Sequence, residues 1–346
     1  MADDARDAVN RLLPWQRPVW EQVWQLRQTE RLPHALLLCG IAGMGKDHFA
    51  RLLGHALLCE ATTEEGLPCG TCRSCLLTLA GTHPDLHRCE PEEDKTFINV
   101  DQIREIGRFL ELKSHYGRHK IVVITPAERM NVNAANALLK LLEEPPAGTH
   151  LLLVSSRPAA LAATVRSRCQ RLFFTLRDER PALDWLSSMP SEDVQRDPVA
   201  LLALAQGAPL TAVAMAEHGH LGHRQDRLGE LLALVRHQAD PLQVAENWLK
   251  FDAKAALYWL HGWLLDMIRF KASDRPPYVG NPDSRDILLQ LSSGLKTPWL
   301  FEQLDRSTEA LRLLDGAVNT QLLLEDTLLP WTGQGATASE KLLDVN

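Results

Sequence analysis

The sequence has no apolar run close to the ~20 residues a membrane-spanning helix requires; its longest, such as residues 151–154, are strand-sized. The opening residues, Met1-Ala2-Asp3-Asp4-Ala5-Arg6, are charged and lack the apolar core of a secretion signal. These absences give the expectation of a cytoplasmic protein with no membrane contact. An excess of positive charge is also missing. The formal net charge is -7, so the molecule as a whole does not attract nucleic acid, and any DNA contact must be local or made through partners. Disulfide staples are not expected of the seven cysteines in a cytosolic chain. No internal repeat is present, and beyond residue 176 no strand-type alternation. A length of 346 residues exceeds what one core usually organises, so two or three domains are expected.

Residues 1–31 read as helical, with Trp20, Val23, Trp24 and Leu26 at near-helical spacing behind Pro14 and Pro18. Short apolar runs at 35–39, 121–124, 151–154 and 171–174 predict buried strands. Between them lie helical stretches at 46–58, 100–112 and 133–144, the last stopped by Pro145-Pro146. Strands alternating with helices predict an α/β domain with a parallel sheet, ending near residue 176. Short helices broken by prolines fill 177–220. Longer helices rich in Leu and Ala follow over 221–332, with Trp248, Trp259 and Trp263 as candidate contact aromatics or plain core. The tail, 333–346, is small and polar and is expected to be disordered.

Gly40-Ile41-Ala42-Gly43-Met44-Gly45-Lys46-Asp47 joins the first predicted strand to a helix and matches G-x-x-x-x-G-K. In a working loop of this kind the backbone amides cradle phosphates and the lysine reaches the terminal ones. A Ser or Thr must follow, to ligate Mg²⁺, and here Asp47 stands instead. The neighbouring strand should end in carboxylates that hold Mg²⁺ and orient water. It ends in Thr125-Pro126, and Glu128 is two positions late and expected to point elsewhere. Gly40, Gly43, Gly45 and Lys46 thus form a degenerate phosphate loop. ATP hydrolysis is not expected, and ATP is not expected as a bound cofactor.

Cys59, Cys69, Cys72 and Cys75 are spaced C-x₉-C-x₂-C-x₂-C. Thiolates at such spacing suit tetrahedral Zn²⁺, with no position left open for chemistry, so a structural zinc is expected. The first ligand should end a helix and the others lie in the following loop. Cys39, Cys89 and Cys169 are expected to be packing residues.

Taken together, the loop, the four cysteines, Gly81-Thr82-His83-Pro84-Asp85, the run from Ala135 to Pro146, Ser155-Ser156-Arg157-Pro158 and Ser167-Arg168-Cys169 resemble the clamp-loader branch of AAA+ proteins. The match is strong over residues 10–176 and architectural beyond. It implies a P-loop AAA+ module over 1–176, carrying a zinc module at 59–75. A helical lid at 177–220 and an all-α collar at 221–332 that closes a ring would follow. The implied partners are the ATPase subunits gamma and tau and a delta subunit in a hetero-pentameric ring. The sliding clamp and primer-template DNA would be met through that complex, which belongs to a DNA-directed DNA polymerase, a nucleotidyltransferase. Asp47, Thr125 and Pro126 depart from the branch's ATPases, as its non-catalytic members do. No arginine lies near residues 207–211, where ATPase members carry one early in a lid helix. In the family the arginine of the S-R-C triplet, here Arg168, acts in trans on a neighbour's ATP. Lys140 lies on a helix that faces the DNA channel in the family. Two other readings stand beside this one: an active clamp-loader ATPase, separated by the state of Asp47 and Thr125-Pro126, and a free-standing zinc module for nucleic acid. Net acidity and the lack of basic or aromatic runs around the cysteines weigh against the latter.

Overall fold

The computed structural model describes residues 11–333, apart from 117–118, 192–193, 196, 218, 274 and 315–317. The helical reading of residues 1–10 and, Gly333 apart, the tail expected to be disordered lie outside the described residues.

The chain divides into two compact units: residues 1–185 with Ala208–Thr211, and Leu186–Gly207 with residues 212–346. The first is built on a five-stranded sheet of order β2-β3-β4-β1-β5. Its strands are β1 (Ala35–Cys39), β2 (Leu86–Cys89), β3 (Lys120–Ile124), β4 (Thr149–Ser155) and β5 (Gln170–Phe173). Every pairing is parallel, with Leu37 opposite Leu153 and Arg171, and Val122 opposite Leu151. The three inner strands are buried along their whole length. That is why their sequences are unbroken apolar runs and not alternating ones.

Alternation survives as a choice of face. Leu37, Cys39, Val122, Ile124, Leu151 and Leu153 point into one core layer. Two helices cover that layer, α4 (Val100–Glu111) through Ile103, Ile106 and Leu110, and α5 (Val132–Glu143) through Ala134, Leu138 and Leu142. The opposite face receives α2 (Lys46–Leu58), which buries Phe49, Leu52, Leu53 and Leu57. Each such side chain removed from water contributes roughly 1.5–3 kcal/mol. Helix α4 starts on a capping box between Asn99 and Gln102, and α5 starts on Asn131, whose side chain accepts from the Ala134 amide at 2.8 Å. Before the sheet, a 3₁₀ turn (Pro14–Gln16) leads into α1 (Arg17–Gln28). A short helix, α3 (Arg73–Leu79), and a turn, α6 (Ala163–Arg166), complete the layer elements.

Two features differ from the sequence reading. Strand β2 was not anticipated, because Leu86-His87-Arg88-Cys89 pairs on one side only and carries polar residues. Cys75 lies in the first turn of α3 and not in a loop; the sulfur of Cys72 caps that helix by accepting the Cys75 amide.

Among the described residues after Phe173 no strand occurs. Along the chain come α7 (Arg180–Ser187), α8 (Pro198–Leu204) and α9 (Pro209–Glu217), with α7 and α9 divided between the two units and α8 in the second. The second unit also holds α10 (His220–Val235), α11 (Pro241–Phe251), α12 (Ala253–Ala272), α13 (Arg285–Gly294), α14 (Thr297–Leu313) and α15 (Thr320–Leu328). Trp248 and Trp263 are fully buried in its core and Trp259 is 4% exposed, so these aromatics are core and do not form a surface. The same core holds a buried ion network: Arg224 reaches Asp283 and Asn281, and Asp266 accepts from the Asn281 amide.

Candidate functional site

The phosphate loop leaves β1 and turns into α2 at Gly45, a left-handed N-cap with φ 75°. Gly43 also has positive φ, 81°, and a Cβ there would stand 2.0 Å from Thr211 Oγ1. Both positions therefore require glycine, and the second is closed against residues 208–211. The Leu210 amide donates to the Gly43 carbonyl at 3.1 Å and the Thr211 hydroxyl to the Ala42 carbonyl at 3.4 Å. From the other side, Trp15 Nε1 donates to the Met44 carbonyl at 3.1 Å, and Gln16 Nε2 to the carbonyls of Met44 and Gly45 at 3.0 and 2.8 Å. The loop is thus gripped by side chains of its own unit.

Lys46 is only 4% exposed. Its ammonium donates to the Ile41 carbonyl at 2.7 Å and to Ser156 Oγ at 3.2 Å. Burial pushes the Lys46 pKa down, and the Glu128 carboxylate opposes that shift. Glu128 does not point away from the loop, contrary to expectation. Its Oε1 accepts the amides of Ser156 and Arg157 at 3.0 and 3.2 Å, fixing the end of β4 beside Lys46. The 3₁₀ turn Ala127–Arg129 brings it there, a curl that residue counting along a strand does not register.

Asp47 faces the sheet edge. It pairs with Arg88 Nη2 at 2.9 Å and Arg51 Nε at 3.4 Å, and Arg88 in turn pairs with Glu90. Thr125 and Pro126, joined by a cis peptide bond, follow directly on β3. No carboxylate extends that strand.

The four cysteines converge. Their sulfurs all lie within 4.8 Å of one another, with separations of 3.5 Å (Cys59–Cys75) and 3.9 Å (Cys59–Cys72, Cys69–Cys75). A tetrahedral Zn²⁺ with Zn–S of about 2.3 Å places sulfurs roughly 3.8 Å apart, so the cluster has the size of a structural zinc site and could hold that ion. None of the cysteines forms a disulfide. Backbone amides point at the sulfurs: Cys69 to Cys59 and Cys72 to Cys69, each at 3.3 Å, and Cys75 to Cys72 at 3.4 Å. For Cys69, burial raises the pKa, but the Thr71 and Cys72 donors outweigh it and draw the thiol down to about 6.

The cluster is moored to the sheet unit on two sides. Trp20 donates to the Glu65 carbonyl at 3.0 Å, and Gly66 lies flat against the Trp24 ring. On the other side the G-T-H-P-D stretch acts as a clasp. The Asp85 amide donates to His83 Nδ1 at 3.1 Å, so Nε2 carries the proton that meets Ser74 Oγ at 2.8 Å. The fully buried Asp85 carboxylate accepts from Ser114 and the amides of His115 and Tyr116. Cys39, Cys89 and Cys169 are buried, apart from the cluster.

Arg168 lies between α6 and β5 with its side chain 36% exposed. Its Nη2 is 2.5 Å from Glu143 Oε1, at the end of α5, and its Nη1 donates to the Thr164 carbonyl at 3.0 Å. Lys140 is exposed on α5, on the face that carries Asn133 and Asn136. Sequence reasoning missed the roles of Gln16, Ser156, Thr211, Arg88 and Glu143. The sequence held a signal for two of them, since Ser156 and Glu143 lie inside stretches that already stood out.

A parallel sheet whose first strand runs through a G-x-x-x-x-G-K loop into a helix, followed by an all-helical region, defines an AAA+-like P-loop protein of the clamp-loader type. Comparison with known proteins agrees. The family described as DNA polymerase III, delta subunit, matches residues 15–177, and the one described as DNA polymerase III, delta subunit, C terminal, matches residues 218–333. The chain is 35% identical to DNA polymerase III subunit delta' of Pseudomonas aeruginosa, over 92% of this chain and 97% of that one. It is 34% identical to the protein of the same name from Escherichia coli K12, over 92% and 95% of the two chains. Among solved structures it is similar to a DNA polymerase III gamma subunit-related protein of Thermotoga maritima, with 17% identity, 91% of this chain and 99% of that chain covered, and a TM-score of 0.44. The chain belongs to the DNA polymerase III delta' subunit family of clamp-loader proteins.

Proposed function

We propose that the protein is a non-hydrolysing clamp-loader subunit that supplies Arg168 in trans to the nucleotide of an adjacent ATPase subunit. The observation that carries the first half is the state of the loop. Its lysine is engaged by Ile41 and Ser156 with Glu128 as countercharge, while Asp47, at the Mg²⁺-ligand position, is spent on Arg88 and Arg51. A carboxylate there repels phosphate, and no acidic strand end is present to orient water. The loop has become a joint between β1, α2 and the end of β4. The second half is supported by the half-exposed Arg168 fork, whose planar donors suit phosphoryl oxygens.

In this reading residues 1–176 form the ATPase-like module, 177–220 a lid and 221–332 a ring-closing collar. The partners are the gamma or tau subunits and delta. The clamp and primed DNA are met through the assembled complex in the cytoplasm, within the polymerase holoenzyme. Cys59, Cys69, Cys72 and Cys75 hold one structural Zn²⁺.

The test has two arms. The isolated chain, with Mg²⁺, ATP and primed DNA, should show no turnover; steady hydrolysis that disappears in Lys46→Ala would establish the alternative, an active ATPase. In the reconstituted complex Arg168→Ala should leave assembly intact and lower ATP turnover and clamp loading. A trans arginine accounts for roughly 10³–10⁵ in rate where it is the main charge stabiliser. Here the loss should be smaller, since the other sites keep their own arginines. Arg168→Lys should rescue poorly, and Arg166→Ala should matter much less. Equal effects at Arg166 and Arg168 would remove the trans role.

A further inference from the structure

The ion pair between Arg168 and Glu143 has little to offer the fold. Glu143 is the last residue of α5, where the helix dipole disfavours negative charge. The side chains are 36% and 50% exposed, so solvent screens their attraction and the pair stabilises the folded chain weakly. What the pair does fix is the guanidinium. Nη2 meets Glu143 Oε1 at 2.5 Å and Nη1 donates to the Thr164 carbonyl at 3.0 Å. The anchors sit on two different elements, α5 and α6, which pack together. Val165, fully buried, and Cys169, 8% exposed, pin the backbone on either side of Arg168. An arginine has five N–H donors in a planar fork, and two anchors on the terminal nitrogens leave the remaining donors for another ligand.

We infer that Glu143 is a positioning residue for Arg168, holding its guanidinium in a preset orientation from which it receives the phosphoryl oxygens of a nucleotide bound by the adjacent subunit. The inference rests on the reading of Arg168 as an arginine supplied in trans. An arginine with free rotamers would lose that freedom on meeting phosphate; one already held loses little. The opposite role, a lock that keeps the finger from its target, fits the geometry poorly. A single screened carboxylate competes weakly with a polyphosphate for the same fork.

The experiment uses the reconstituted complex with clamp, primed DNA and varied ATP, and compares Glu143→Ala, Glu143→Gln, Arg168→Ala and the Arg168→Ala/Glu143→Ala double variant. Glu143→Ala should lower kcat roughly three- to fivefold, the scale of one exposed charge pair, with KM for ATP nearly unchanged. Glu143→Gln, which keeps the shape and one acceptor oxygen, should recover part of the loss and controls for folding. The double variant should match Arg168→Ala alone, because Glu143 acts only through Arg168. A rise in kcat for Glu143→Ala would show a lock and overturn the proposal. So would an extra loss in the double variant, or a normal rate in Glu143→Ala while Arg168→Ala is impaired. An unimpaired Arg168→Ala complex would overturn the trans reading itself, and this inference with it.

Discussion

Asp47 shows how one residue can be wrong for one task and right for another. A serine or threonine at its position would serve a metal–nucleotide complex; the aspartate ties the start of α2 to Arg88 on the sheet edge. The cysteines belong to the same scale. We expect one Zn²⁺ per chain by elemental analysis, near zero in Cys72→Ser, and parent content in Cys89→Ser, whose thiol lies outside the cluster. Metal sites of this type contribute on the order of 10 kcal/mol locally, so the Cys72 variant should also be protease-sensitive between residues 59 and 75. Normal folding and protease resistance in metal-free protein would argue against a structural zinc. His150 supplies a pH dependence. Burial, reinforced by the nearby His119, lowers its pKa from 6.5 to about 4, and Nδ1 meets the Pro33 carbonyl at 3.3 Å. The folded pKa is below the unfolded one, so the unfolded chain takes up a proton that the folded chain refuses. Stability is therefore full above about 6.5 and is lost as pH falls toward about 4. Between pH 7 and pH 5 this one residue should cost roughly 2 kcal/mol. Urea denaturation at the two pH values should show a smaller loss in His150→Gln than in the parent chain; equal losses would discount His150.

Helix α5 carries both Lys140 and Glu143, and its start is a point where its stability can be probed. Asn131→Ala removes the side chain that accepts the Ala134 amide and should cost about 1 kcal/mol, read as a lower urea midpoint; Asn131→Ser should restore most of it. An unchanged midpoint would mean that packing of Leu138 and Leu142 alone sets the helix. Helix α5 was legible from its helical pattern and the Pro145-Pro146 stop, and the inner strands because burial on both faces demands unbroken apolar runs, as in Ala35–Cys39, Lys120–Ile124 and Thr149–Ser155. Strand β2 was not legible, since an edge strand with His87 and Arg88 has the composition of a loop. Helix α3 was hidden because its cap is a cysteine sulfur, an acceptor that composition does not flag. The candidate site divides in the same way. The loop glycines, Lys46 and the cysteines are fixed by short-range spacing and could be read directly. The grip of Trp15, Gln16 and Thr211 on the loop depends on chain segments brought together by folding, and no local pattern encodes it.

At the scale of the whole molecule, the division of labour between the regions can be tested by truncation. A chain ending at residue 220 should keep its zinc and its sheet but fail to co-elute with the ATPase subunits, because the collar reading assigns ring closure to residues 221–332. Co-elution at parental affinity would move the assembly surface to the first unit. The residues removed carry a large core of their own around Trp248, Trp263 and Trp331. The outer strands also bear on contact between copies of the chain. The sheet ends on β2 at one edge and β5 at the other, and both edges carry charge: Arg88 on one, and Arg171, exposed beside Gln170, on the other. Edge strands with unsatisfied backbone groups recruit other strands, and flanking cations discourage that. Charge at both edges therefore disfavours edge-to-edge pairing between two copies of the chain.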